Sequence, residues 1–305
     1  MAKFWRKARC QPSFPHRAMP IRRRCYPPQD LRIDPMTRFI HLTDLHLSVP
    51  GMDDPLLHAD TAAALDRAVS KIKALKPGVD FVAISGDLAN HGKKASYAHL
   101  KTALVPLQMP IVMSLGNHDD RANFRSVFGG SGAPDAPLFA QMVIDGVHII
   151  TLDSSVPGRV GGAIGNAQFE ALETALRAHQ DLPKLILCHH PPRPQIGETL
   201  IWESLSEAET ARLAATLKGH KIAAILCGHV HHNRVTFWNG IPVIVSNGLH
   251  ATIDLLEQDG MTILSGTGFA ICDLTSSELS VVFVPLSPEQ ETLARMSDEK
   301  LRGFA

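Results

Sequence analysis

Five short apolar runs in this 305-residue chain each stop at a cluster of metal-type side chains. Arg38–Leu42 leads into Thr43-Asp44-Leu45-His46, Phe81–Ile84 into Ser85-Gly86-Asp87, and Ile111–Leu115 into Gly116-Asn117-His118-Asp119. Leu185–Cys188 leads into His189-His190-Pro191-Pro192, and Ala223–Cys227 into Gly228-His229-Val230-His231. Apolar runs of this length, bounded by glycine and polar residues, read as buried strands. In α/β sheets, ligands gather in the crevice beyond the carboxyl ends of the strands, so five such tips converge on one place.

The intervening sequence fits that frame. His58–Lys76 carries Leu65, Ala68, Val69, Ile72 and Leu75 at helical spacing and stops at Pro77-Gly78. Tyr97–Leu107, Ala167–His179 and Glu207–Leu217 read as further helices, and Val147–Leu152 as a strand. After Cys227 the pattern changes to strands at Arg234–Trp238, Ile241–Ser246, Phe269–Leu274 and Ser280–Val284, joined by turns such as Asn239-Gly240. A short helix is expected near Pro288–Arg302. Strand–helix alternation followed by hairpins predicts mixed sheets covered by helices. The expected division is a basic N-terminal extension over residues 1–36, one domain over 37–286, and a C-terminal helix or tail over 287–305.

The formal net charge of zero is unevenly spread. Residues 1–35 hold nine bases and two acids, a net +7, which leaves −7 for the other 270. That extension is proline-rich and lacks the apolar core of a secretory signal, so it is read as a disordered tail or an upstream start rather than a functional element. The mildly acidic body disfavours long nucleic acid as a partner. No run of 18 apolar residues appears, so no membrane span is expected. Five cysteines without a Cys-x-x-Cys pair point to a reducing cytoplasm rather than a disulfide framework.

Carboxylate, amide oxygen and imidazole donors without a thiolate cluster suit Mn, Fe or Zn. Two cations about 3.5–4 Å apart can clamp the attacking and leaving oxygens of a phosphoryl displacement. Gly86, Gly116 and Gly228 fit a backbone that must approach closely without a Cβ. Singly, each motif also has a structural reading: a strand end with a helix cap, a turn, a proline-punctuated stop, or a pair of solvated imidazoles. The joint occurrence of all five, in order and each after an apolar run, carries the argument.

The set resembles the calcineurin-like metallophosphoesterases, whose motifs D-x-H, G-D, G-N-H-[D/E], H and G-H-x-H are all intact between Thr37 and Pro285. The resemblance is closest to the class III cyclic-nucleotide phosphodiesterase branch, which includes glycerophosphodiesterases. His189-His190-Pro191-Pro192, Asn117–Arg121 leading to Phe124, Leu152–Gly158 and Gly165…Gln168 point there. It implies a four-layer αββα sandwich with two mixed sheets flanked by helices. It implies two di- or trivalent metal ions, with Asp44, His46 and His231 on the first, Asn117, His189 and His229 on the second, and Asp87 bridging. A hydroxide activated by both cations would be the nucleophile, His118 would protonate the leaving alkoxide, and Asp119 would orient His118. His189 is taken as the ligand of its pair, with His190 behind it or facing substrate. The implied substrate is a small phosphodiester, a cyclic nucleotide (3′,5′- or 2′,3′-cAMP) ahead of a glycerophosphodiester. A phosphomonoesterase or nuclease ranks below these, and a binding-only module ranks last because no ligand is missing. A homodimer is compatible with the resemblance, though no sequence signal marks one.

Ser246-Asn247-Gly248-Leu249-His250 departs from the Pro-Ser-Thr run of many relatives, which leaves substrate identity open. His250 is read as a loop histidine, His91 and Gly92 as loop-shaping residues, and Cys188 and Cys227 as core thiols. Trp202 and Trp238 are read as packing residues. Arg193 is read equally as a solvated arginine or as a holder of an anionic leaving group.

Overall fold

The computed structural model of the chain describes residues 36–195, 203–286 and 292–303. The expected N-terminal extension, Trp202 and the start of the expected C-terminal helix lie outside these residues.

In chain order the elements begin with β1 (Thr37–Leu42), α1 (Thr61–Ala74), β2 (Phe81–Ser85), α2 (Lys94–Leu104), β3 (Ile111–Ser114) and α3 (Arg121–Phe128). They continue with β4 (Ala140–Ile144), β5 (Val147–Leu152), α4 (Asn166–Arg177), β6 (Lys184–Cys188), α5 (Glu207–Leu217) and β7 (Ile222–Cys227). Then follow β8 (Arg234–Trp238), β9 (Ile241–Val245), β10 (Thr252–Ile253), β11 (Met261–Leu264), β12 (Gly268–Leu274), β13 (Leu279–Pro285), β14 (Thr292–Met296) and α6 (Asp298–Arg302).

One sheet has the order β13-β12-β1-β2-β3 and the other β4-β5-β6-β7-β9-β8. In the first, β1, β2 and β3 run parallel while β12 and β13 join antiparallel. In the second, β5, β6, β7 and β9 run parallel with antiparallel edges β4 and β8. Both sheets are therefore mixed, as the sequence pattern predicts.

Side chains alternate between the two faces of each strand, and the alternation builds the layers. Phe39, Phe81, Ala83, Leu185, Leu187 and Leu226 point between the sheets and form the central core. Ile40, Val82 and Ile84 point the other way and pack on α1 and α2 through Leu65, Ile72, Tyr97 and Leu100. Ile186 and Ile225 do the same against α4 and α5 through Phe169, Leu172 and Leu213. The result is the four-layer αββα arrangement. Strands buried on both faces read as continuous apolar runs, which is why they are legible in the sequence. Each fully buried Leu or Ile contributes about 1.5–3 kcal/mol relative to exposure.

Three features differ from expectation, the first being edge strand β4, which pairs antiparallel with β5. The closing segment holds β14 before the short α6, because Thr292–Met296 pairs antiparallel with β11. A small third sheet, β10-β11-β14, results. Helix α3 was not anticipated. It starts at Asp120, whose carboxylate caps it by accepting from Asn123 N at 2.7 Å.

Candidate metal centre

The tips after β1 and β2 are tied together by backbone. Asp44 N donates to Gly86 O at 3.1 Å and His46 N to Asp87 O at 2.9 Å. Gly228 N donates to His189 O at 2.9 Å, joining the tips after β6 and β7. The carboxylates then cross between tips: Asp44 accepts from His229 N at 3.1 Å, and Asp87 from His118 N at 2.9 Å. Among the described residues, eight non-glycine residues have positive φ, and five are Asp44, His46, Asp87, His229 and His231. Backbone strain of this kind costs about 1–3 kcal/mol per residue and collects at functional sites. The backbone at Gly116 leaves no room for a side chain: a Cβ there would collide with the Asp87 carboxylate.

Asp44, His46, Asp87 and His189 are all buried. Two buried carboxylates face imidazoles. His189 Nε2 lies 3.2 Å from Asp87 Oδ2, His46 Nε2 lies 3.5 Å from the same oxygen, and His231 Nε2 lies 3.2 Å from Asp44 Oδ1. His46 Nε2 and His231 Nε2 are 3.2 Å apart. Burial pushes both carboxyls up, but it is outweighed by the neighbouring histidines, chiefly His231 for Asp44 and His189 for Asp87, and both are held below the usual range. Burial lowers His189, yet the Asp87 and Asp44 charges win and raise it to about 9. The site favours positive charge at this spot.

Hydrogen bonds fix which imidazole nitrogens are free. His46 Nδ1 meets Asn90 Oδ1 at 3.0 Å, His118 Nδ1 meets Asn90 O at 2.8 Å, and His189 Nδ1 meets Ser85 O at 2.8 Å. An amide or carbonyl oxygen only accepts, so each ring carries its proton on Nδ1 and presents a bare Nε2 when neutral. His190 is different. Its Nδ1 accepts from Ser154 Oγ at 2.8 Å and its Nε2 donates to Val160 O at 2.8 Å, so neither nitrogen is free to ligate. Arg121 links two further motifs of the chain, pairing through Nε with the buried Asp153 at 2.8 Å.

One expected contact is corrected. Asp119 does not reach the His118 ring among the hydrogen bonds described. Its oxygens accept from Leu88 N, Ala89 N, Gly116 N and Tyr97 Oη at 2.9–3.1 Å. Burial and the Asp87 charge push Asp119 up to about 7, while those four donors favour its ionised form. Asp119 is thus an anchor for the tips after β2 and β3, and Asn90 takes the place beside His118. Asn90 also donates through Nδ2 to Asp54 Oδ2 at 2.9 Å, and Asp54 in turn holds His91 Nε2 at 2.8 Å. No sequence period marks Asn90, Asp54 or Ser154. His250, read as a loop residue, is buried with its ring 4.7 Å from that of His46. Trp238, Cys188 and Cys227 are buried, and the Arg193 guanidinium lies 3.5 Å from Glu207.

The cluster fits the expected cations on its own chemistry. Asn117 Oδ1 is shut off from solvent without a hydrogen-bond partner, a costly state unless another group engages it. Potential ligand atoms of Asp44, His46, Asp87 and His231 lie within 4.8 Å of one another, and so do those of His189, His190 and His229. Among the described residues, no helix is long and apolar enough to cross a membrane.

A sequence model described as calcineurin-like phosphoesterase matches residues 37–233. The chain is 34% identical over 226 residues to a probable cyclic nucleotide phosphodiesterase of Rhodococcus erythropolis, spanning 72% of this chain and 73% of that protein. It is 33% identical over 228 residues to a cAMP/cGMP dual specificity phosphodiesterase of Mycobacterium tuberculosis, spanning 73% of this chain and 70% of that one. Among solved structures, a dimetal phosphatase from Danio rerio superposes with a TM-score of 0.57 at 14% identity, covering 83% of this chain and 100% of that chain. At that identity the likeness shows the fold alone.

Proposed function

The chain belongs to the calcineurin-like phosphoesterase family, and from that premise we propose that it hydrolyses a small phosphodiester, a cyclic nucleotide first among them, with two metal ions. The observation that carries this reading is the gathering of the Asp44, His46, Asp87, His189 and His231 donors around two buried carboxylates, with His46 and His189 oriented to leave Nε2 bare. The relatives named as cyclic nucleotide phosphodiesterases support the substrate class.

Asp44, His46 and His231 would hold one ion, Asn117, His189 and His229 the other, and Asp87 both. When bound, such ions polarise a phosphoryl oxygen and lower the pKa of water. The remaining work falls to the chain's own groups. Asn90 and Ser85 hold His46 and His189 with Nε2 towards the carboxylates. His118 is held at Nδ1 by the Asn90 carbonyl, so Nε2 is the atom that delivers a proton to the leaving oxygen when the ring is protonated. Ser154 and Val160 lock His190 as a wall against His189 and His229. A cytoplasmic setting is part of the reading, supported by the free, buried thiols of Cys188, Cys227 and Cys272.

The test is hydrolysis by the Mn-loaded protein of 3′,5′-cAMP, 2′,3′-cAMP, glycerophosphocholine and bis(p-nitrophenyl) phosphate, side by side. Turnover of one cyclic nucleotide well above the others is expected. Preference for glycerophosphocholine would transfer the chemistry to that substrate, and inactivity on all four with metal bound would overturn the reading.

A further inference from the structure

His250 sits at the end of the loop after β9, and that loop is fastened to the centre. Leu249 N donates to Asp44 O at 3.1 Å. Gly248 has φ +77°, and a Cβ there would lie 2.6 Å from Asp44 Cβ. His250 is thereby pressed against the cluster: its ring is 4.7 Å from His46 and 5.6 Å from His231, and stacks on His58 at 5.8 Å. One of its nitrogens lies within 4.8 Å of the ligand atoms of His46 and His231.

Its two nitrogens differ. The backbone N–H of His58 donates to His250 Nε2 at 3.2 Å. A ring nitrogen that accepts has its lone pair engaged and carries no proton, so the proton sits on Nδ1. Neither nitrogen is then free to bind a cation. Nδ1 is shut off from solvent and has no acceptor in the protein. His250 as a whole is 8% exposed. A buried N–H with no acceptor is costly, and an anionic oxygen is the strongest acceptor that could relieve it.

We propose that His250 is a substrate-binding residue, whose Nδ1–H donates to a phosphoryl oxygen of the diester and of its phosphate product beside His46 and His231. This rests on the function proposed above. It assigns to the loop after β9 a direct hand in holding the phosphate, with a neutral donor in place of a cationic side chain.

The experiment is calorimetric titration of inorganic phosphate into the Mn-loaded full chain, for wild type, His250→Phe and His250→Asn, with Mn counted in each. Asn keeps an N–H near the Nδ1 position. The expected result is a Kd raised about 10–100-fold in His250→Phe at unchanged Mn content, the scale of one hydrogen bond to a charged group, with His250→Asn within a few-fold of wild type. Equal phosphate affinity in wild type and His250→Phe would overturn the proposal. Loss of Mn from His250→Phe would overturn it too, by making His250 a ligand. Should His250→Phe fail to fold, the ¹⁵N resonance of Nδ1 in the Zn-loaded wild type decides: a shift on adding phosphate supports the contact, and none refutes it. A wild type that takes up no Mn would instead refute the underlying function.

Discussion

Asn90 accepts the Nδ1–H of His46 through its side-chain oxygen at 3.0 Å, which leaves Nε2 as the bare nitrogen of that ring. Asn90 is held in turn by Asp54 at 2.9 Å. Partners of this kind typically change metal affinity 10–100-fold when removed. Asn90→Ala is expected to weaken Mn binding by about that factor while the chain stays folded, as read by metal competition and circular dichroism. Unchanged affinity would remove Asn90 from the account.

His118 is held by its own backbone as well as by its ring: its N–H donates to Asp87 Oδ1 at 2.9 Å. His118→Ala keeps that bond. The variant should therefore retain its metals and lose turnover by about 10²–10⁴-fold. The loss should be larger for the alkoxide leaving group of a cyclic nucleotide than for p-nitrophenolate, which needs no proton. An equal loss for both would count against proton delivery.

Asp119 accepts three backbone N–H groups and the Tyr97 hydroxyl in a half-buried position. Truncation to Ala would strand those donors, each costing about 1–3 kcal/mol. Asp119→Ala should lower stability by about 3 kcal/mol or more in urea unfolding. If Asp119 merely tuned His118, stability would hold and only the rate would fall.

His41 is buried in β1 with Nε2 2.9 Å from Ser85 Oγ, and burial holds its pKa down at about 4 against an ordinary 6.5. The unfolded chain takes up this proton as pH falls through 6.5, while the folded chain resists until about 4. Stability from the neutral ring is thus complete above 6.5 and is lost progressively between 6.5 and 4, by about 3 kcal/mol at most. Urea unfolding across that range should show a shallower decline for His41→Phe than for wild type. Parallel declines would show that His41 does not contribute to acid sensitivity.

The strand tips were legible because each joins two signals, an apolar run buried on both faces and an abrupt polar stop. Asp44, Asp87, Asn117, His189 and His229 stand at such stops. Helix α3 was missed because it spans only eight residues, about two turns, so its apolar face of Phe124, Val127 and Phe128 has no length over which to repeat. Strands β10, β11 and β14 are short and gain their order from pairing with one another. Asn90, Ser154 and His250 act through hydrogen bonds to residues distant in sequence, and such contacts leave no period to read. The contact expected between Asp119 and His118 gave way for a related reason: Asp119 is taken up by Leu88 N, Ala89 N, Gly116 N and Tyr97 Oη, and His118 Nδ1 by Asn90 O.

The central claim is that this cluster holds two cations through the shared carboxylate of Asp87, which contacts His46, His118 and His189. Counting metal per chain after Mn loading, in wild type and Asp87→Asn, tests it directly. The account predicts two ions in the wild type and loss of at least one, together with hydrolysis of bis(p-nitrophenyl) phosphate, in Asp87→Asn. Two ions retained at full occupancy in Asp87→Asn would contradict it.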